Sequence, residues 1–265
     1  MIIAFIITGF KSDNKPVVTI LGDGTPYYMF PEKMLGKVKT VIEKSYWAIP
    51  DGNSFKKGIP ISSKDRERLG GWPDDIEVNY NNAGELVSCN NMDVHGKSIR
   101  IYKVFKEKDG SVRGENFIHD TLNYYDKYKL DKQGNRIGFV RYRPIADTMI
   151  LTYDIKTNPS GEIYEYHSVN SKGESLYKLI VLFDKSGQFS RSEGYNKEGV
   201  FQFSNEALKY NDKGKVSEAI SYDKDKKVIF SITYTYEYDS KGNYIKVIGK
   251  TDKDLIVTLR AYTYF

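Results

Sequence analysis

The chain has 265 residues, of which 40 are basic and 35 acidic, giving a formal charge of +5. Lysine alternates with aspartate and glutamate along most of its length, and no Lys/Arg run is long enough to mark a nucleic-acid surface, so nucleic acid is excluded as a partner. One cysteine, Cys89, excludes an intrachain disulfide and any zinc site built from several thiolates, and no cofactor is expected.

Residues 1–15 read as an export-signal or lipoprotein-like segment. The apolar run MIIAFIITGF is too short to span a bilayer, and Ile7-Thr8-Gly9 looks like a lipobox except that Phe10 stands where the lipidated cysteine belongs. A membrane tether through the N-terminus and a buried first strand are the two alternatives. Residues 16–75 follow as an N-terminal strand and long loop capping the sheet. Six of the eight prolines lie before residue 74, KVKTVIEKSYWAI from Lys37 to Ile49 predicts a long strand, and SSKDRERLG from Ser62 predicts one or two helical turns. The segment from Pro50 to Asp74 is expected to loop out.

Residues 76–265 are periodic. Gly84, Gly110, Gly134, Gly161, Gly187, Gly214 and Gly242 recur at intervals of 26, 24, 27, 26, 27 and 28 residues. A second series of turn-like positions, Gly96, Asp120, Asp147, Gly173, Gly199, Lys227 and Asp254, falls about midway between them. Five of the first series, at Gly84, Gly134, Gly187, Gly214 and Gly242, carry an aromatic or leucine, then Asp or Asn, two residues and Gly, as in Tyr210-Asn-Asp-Lys-Gly214. Asp or Asn opens a type I turn and Gly accepts the positive φ that closes it.

Between turns the residues alternate as strands do. From Val228 to Tyr238 one face carries Val228, Phe230, Ile232, Tyr234, Tyr236 and Tyr238. Spacing of about 13 residues leaves no room for helical crossovers, so neighbours must be antiparallel. The expected fold is therefore all-β: an up-and-down meander of about 26-residue hairpin repeats in an extended or curved sheet.

The copies Tyr238-Asp239-Ser240-Lys241-Gly242-Asn243 and Leu130-Asp131-Lys132-Gln133-Gly134-Asn135 resemble the turn of YD-repeat proteins. The repeat region is similar also to exported, repeat-containing lipoproteins of Bacteroidetes without assigned activity. That resemblance implies a meander or shell-forming sheet and little chemistry.

No constellation for catalysis stands out. His95, His119 and His167 lack metal-ligand spacing, His119-Asp120 is read as a turn pair, and Leu21-Gly22-Asp23-Gly24-Thr25 lacks the Gly-Lys-Ser/Thr of a phosphate loop. Neither a catalytic nor a metal residue is assigned. The aromatic excess is the one feature suited to binding, and Trp47 and Trp72, flanking the long loop, are the candidate ligand residues. The expected function is a non-enzymatic exported repeat protein of the bacterial cell envelope, in the periplasm or at the cell surface, binding a protein or glycan on its sheet. The alternative is an immunity or antitoxin-like partner, which would also be compatible with the cytoplasm.

Overall fold

The structure, a computed structural model, describes residues 35–52, 54–69, 74–132, 136–158 and 163–265. The long strand expected at residues 37–49 is β1 (Val38–Asp51), followed by β2 (Ser54–Pro60) and a short helix α1 (Ser63–Arg68). Fifteen strands then run from β3 (Asp75–Tyr80) to β17 (Leu255–Tyr264), each antiparallel to the next. The hairpin order read from the turns is present throughout.

The extended or curved sheet expected from the repeats is corrected to a closed barrel. Val38 to Trp47 of β1 pair antiparallel with Tyr264 to Ile256 of β17, and Thr40 to Glu43 pair on the other edge with Asn79 to Ile76 of β3. Fifteen consecutive strands plus β1 thus make sixteen staves with no open edge. The physical reason is that edge groups seek partners: β3 and β17 would each expose a row of unpaired N–H and C=O groups, and β1 satisfies both rows. β1 is consequently part of the wall rather than a strand lying over it.

Two rims alternate along the chain. On the first rim Gly84, Gly110, Gly187, Gly214 and Gly242 close turns, with φ from 73° at Gly214 to 91° at Gly242. Gly134 and Gly161 lie outside the described residues. At Gly242 the turn can be read atom by atom. Asp239 Oδ1 accepts the N–H groups of Lys241 and Asn243, each at 2.9 Å, and Gly242 N–H donates to Asp239 O at 3.0 Å. Gly96, Gly173 and Gly199 build the same turn on the second rim, while Lys226 takes the positive φ beside Lys227, and Asp120 and Asp147 take it themselves.

The segment from Pro50 to Asp74 does not loop out as expected. Its first part is β2, paired with the end of β1. Its second part turns back so that Ile61 and Leu69 pack with Ile232, Tyr234, Val247 and Ile256, and Arg66 bonds Asp75 at 2.6 Å beneath the surface. Apolar side chains at both ends of α1 make this burial more favourable than solvation.

The face on which the buried residues lie must be the concave one, because among the described residues no second layer covers the outer wall of β3 to β16. Val41, Cys89, Tyr166, Ser192, Val247 and Ile256, spread round the ring, are each no more than 2% exposed. A water-filled bore would wet these positions. Even the small Ser192 is dry, so the interior is closed at mid-height.

Candidate functional site

Each strand divides its side chains between interior and outer wall, and the register assigns them. Asp126 on β7 (Thr121–Leu130) pairs directly with Arg141 on β8 (Arg136–Arg143) on the inward face. Arg141 Nε donates to Asp126 Oδ1 at 2.8 Å and its Nη2 to Oδ2 at 3.1 Å, with both side chains at most 3% exposed. Tyr102 on β5 (Ser98–Lys106) reaches the same carboxylate from two strands away, donating to Asp126 Oδ2 at 3.1 Å and meeting Tyr128 Oη at 2.8 Å. It can do so because the intervening inward position on β6 (Val112–Ile118) is Gly114. A Cβ there would stand 1.8 Å from the tyrosine oxygen. Burial opposes the charge on Arg141, but its hydrogen bonds and attraction to Asp126 outweigh that and hold its pKa above the ordinary value.

Other inward polar groups include Glu43, which bonds Arg260, and Ser45, whose Oγ lies 2.9 Å from Thr258 Oγ1. Asn116 on β6 differs from all of these. It is 0% exposed, and neither its Oδ1 nor its Nδ2 meets a hydrogen-bond partner. Cys89 is buried on the same inward face, and burial pushes its thiol pKa up to about 12, which makes it an inert packing group.

The outer wall carries the charges. Arg113 pairs with Glu115 at 2.7 Å, Arg191 with Glu193 at 2.8 Å and Glu206 at 2.9 Å, and Lys246 with Glu237 at 2.8 Å. A stacked pair, Tyr125 and Tyr142, has ring centroids 5.2 Å apart, and the Arg113 guanidinium lies 4.2 Å from the Tyr125 centroid. Burial first, and then a hydrogen bond to Asp147, push the Tyr125 hydroxyl up to about 12. Lipid-facing walls carry an apolar band, and a mid-bilayer Lys or Arg costs about 2–4 kcal/mol. β3, β6, β12 (Phe189–Tyr195) and β16 (Tyr244–Lys250) have only six or seven residues, short of the roughly 9–11 that a tilted bilayer-spanning strand needs.

Trp47 lies on β1 opposite Ile256 of β17 and packs, partly buried, against the cluster of Ile232, Tyr234 and Val247. It is a wall residue pointing into the core. Trp72 lies outside the described residues. His95 is in a second-rim turn, His119 has φ of 47° in another, and His167 Nε2 lies 3.1 Å from Ser175 Oγ. Among the described residues no three His, Cys, Asp or Glu side chains are grouped to hold a metal ion.

Sequence reasoning missed Arg100, Asn116, Asp126 and Arg141. The signal was present as parity, since Asp126 falls between Tyr124 and Tyr128 on the face that carries the inward tyrosines, a place for a charge only if it is paired.

No protein-family model and no curated protein matches the chain. Solved structures do. A porin-like protein from Bacteroides uniformis ATCC 8492 has a TM-score of 0.52 at 11% identity, covering 87% of this chain and 98% of its own. Another from Bacteroides vulgatus ATCC 8482 has a TM-score of 0.50 at 9% identity, covering 86% and 99%. These neighbours and the β1 closure overturn the YD-repeat and repeat-lipoprotein resemblance, whose turn motif reflects hairpin chemistry common to many meanders. The chain has the fold of a closed, sixteen-stave antiparallel barrel similar to those porin-like proteins.

Proposed function

We propose that the protein is a non-enzymatic, water-soluble barrel of the bacterial cell envelope that binds a protein or glycan on its outer wall and does not conduct solute across a membrane. The observation that carries this reading is the distribution of charge. Ion pairs occupy outward positions on β6, β12, β13 (Phe201–Tyr210), β15 (Val228–Tyr238) and β16, while the inward positions at mid-height are dry. A transmembrane barrel is built the other way round, apolar outside and polar within. Likeness in fold to porin-like proteins of Bacteroides supports the envelope setting. The most deeply buried charges are paired with each other, Arg141 with Asp126 and Arg66 with Asp75, which supports binding over catalysis.

Expression of the full chain with fractionation of the envelope tests the reading, followed by a pull-down analysed by mass spectrometry beside a glycan array. Release without detergent, together with no conductance in planar bilayers, is the expected result. Extraction by detergent alone, with ion conductance, would overturn it.

A further inference from the structure

On the inward face of β5 and β6, two polar side chains lack partners among the described residues. Arg100 is directly opposite Ile118 and Tyr102 directly opposite Asn116, so Arg100 and Asn116 are diagonal neighbours, about 7–8 Å apart between Cα atoms. Asn91 of β4 (Leu86–Met92), paired with Arg100, is 7% exposed, which confirms that this row faces inward. Arg100 is half-buried and makes no ion pair or hydrogen bond among the described residues. Asp74, whose Oδ2 accepts from Asn91 Nδ2 at 3.4 Å, forms no ion pair with Arg100 among the described residues. Asn116, one position deeper, is wholly buried with both amide atoms unpaired.

An unpaired buried amide is destabilising because its lost hydration is not replaced, and an arginine turned inward without a counter-ion adds to that. Native folds retain such groups where something completes them. Elsewhere in this interior the charges are matched: Arg141 has Asp126, Arg260 has Glu43, and Arg66 has Asp75. Among the described residues Arg100 alone of these four has no partner. β5 begins at the second rim, so Arg100 stands between that opening and Asn116. An unanchored guanidinium can swing onto an entering anion and uncover the amide behind it.

We propose that Arg100 and Asn116 form an interior subsite, entered from the second rim, for a small carboxylate bearing an adjacent hydroxyl or N–H group. The carboxylate satisfies the guanidinium through paired N–H donors and leaves an oxygen lone pair for Asn116 Nδ2. The neighbouring hydroxyl or N–H donates to Asn116 Oδ1. Sulfate supplies only acceptors at neutral pH and leaves Oδ1 unpaired. Hydroxy acids and the acid end of uronic sugars share the required pattern. The site does not depend on the outer-wall reading, and it is read by a separate assay.

Calorimetric titration of the full chain with sodium glycolate, sodium D-glucuronate, sodium acetate and D-glucose tests the proposal. Glycolate or glucuronate binds, the stronger of the two telling a free hydroxy acid from a sugar acid, and acetate and glucose bind at least about tenfold more weakly. Arg100→Met and Asn116→Leu each weaken binding by about tenfold or more. Arg100→Met and Asn116→Leu each keep or raise the melting temperature, because each removes a polar group that has no partner among the described residues of the free protein. No heat with either hydroxy-carboxylate up to about 10 mM, or equal binding by wild type and Arg100→Met, would overturn it.

Discussion

Between β5 and β8 the inward face buries Asp126, Arg141 and Asn116 among tyrosines, whereas β10 (Ile163–Asn170) and β11 (Ser175–Phe183) bury Tyr164, Tyr166, Leu179, Val181 and Phe183. The backbone is the same antiparallel ladder in both sectors. What differs is directionality. Tyr166 opposite Leu179 and Tyr164 opposite Val181 gain from any close approach, and the Tyr164 and Phe183 rings meet edge-on at 5.4 Å. The Asp126–Arg141 pair is favourable only at one register, and the reach of Tyr102 over Gly114 adds a third strand to the constraint. The apolar sector supplies stability, and the polar sector specifies which positions face each other.

The largest effect that could break this comparison is expected from Arg141→Met, which leaves Asp126 buried without its counter-ion. A loss of about 3–5 kcal/mol in urea unfolding is expected, with most of it recovered in the double variant Asp126→Leu/Arg141→Met. No recovery in the double variant would show that the pair itself contributes net stability. Leu179→Ala sharpens the other side, with an expected loss of about 3 kcal/mol from transfer and cavity terms. Because no polar network shares that site, adding it to Arg141→Met should give additive losses within about 0.5 kcal/mol.

A smaller effect lies at the first rim, away from both sectors. Burial alone would raise the Asp239 pKa, but the Tyr264 hydroxyl and the N–H groups of Asn243 and Lys241 bring it below the usual carboxylate value. A depressed folded pKa means that the contribution is full above the unfolded value of about 3.9 and fades as pH falls through the folded one. Asp239→Ala should therefore lower the melting temperature at pH 7, and the gap from wild type should narrow by pH 2. A gap that stays constant across this range would remove the charged hydrogen bonds as its cause.

The turns were legible because their chemistry is local. Asp239 or Asn211 followed three residues later by Gly242 or Gly214 specifies a hairpin whatever surrounds it, and a valine at either glycine would be strained at these positive φ values. The alternation of Ile232 and Tyr234 with Ser231 and Thr233 was legible too, since period two depends only on the pleat. Val228, placed on the same face from sequence, is 58% exposed because the register shifts between Ser221 and Tyr222, and no strand reveals such a bulge by itself.

Chain order and turn type were thus determined by the sequence through interactions among near neighbours. Closure was decided by tertiary structure, because it rests on β1 meeting β17 more than 200 residues away, as in the Glu43–Arg260 contact. Nothing within a repeat distinguishes a sheet that stays open from one that closes. The same holds for the interior. Asp126 and Arg141 are 15 residues apart, and Arg100 and Asn116 sit on separate strands, so which charges find partners became visible only when registers were fixed. A turn needs only its own few residues, whereas the satisfaction of a buried polar group depends on every strand that faces it.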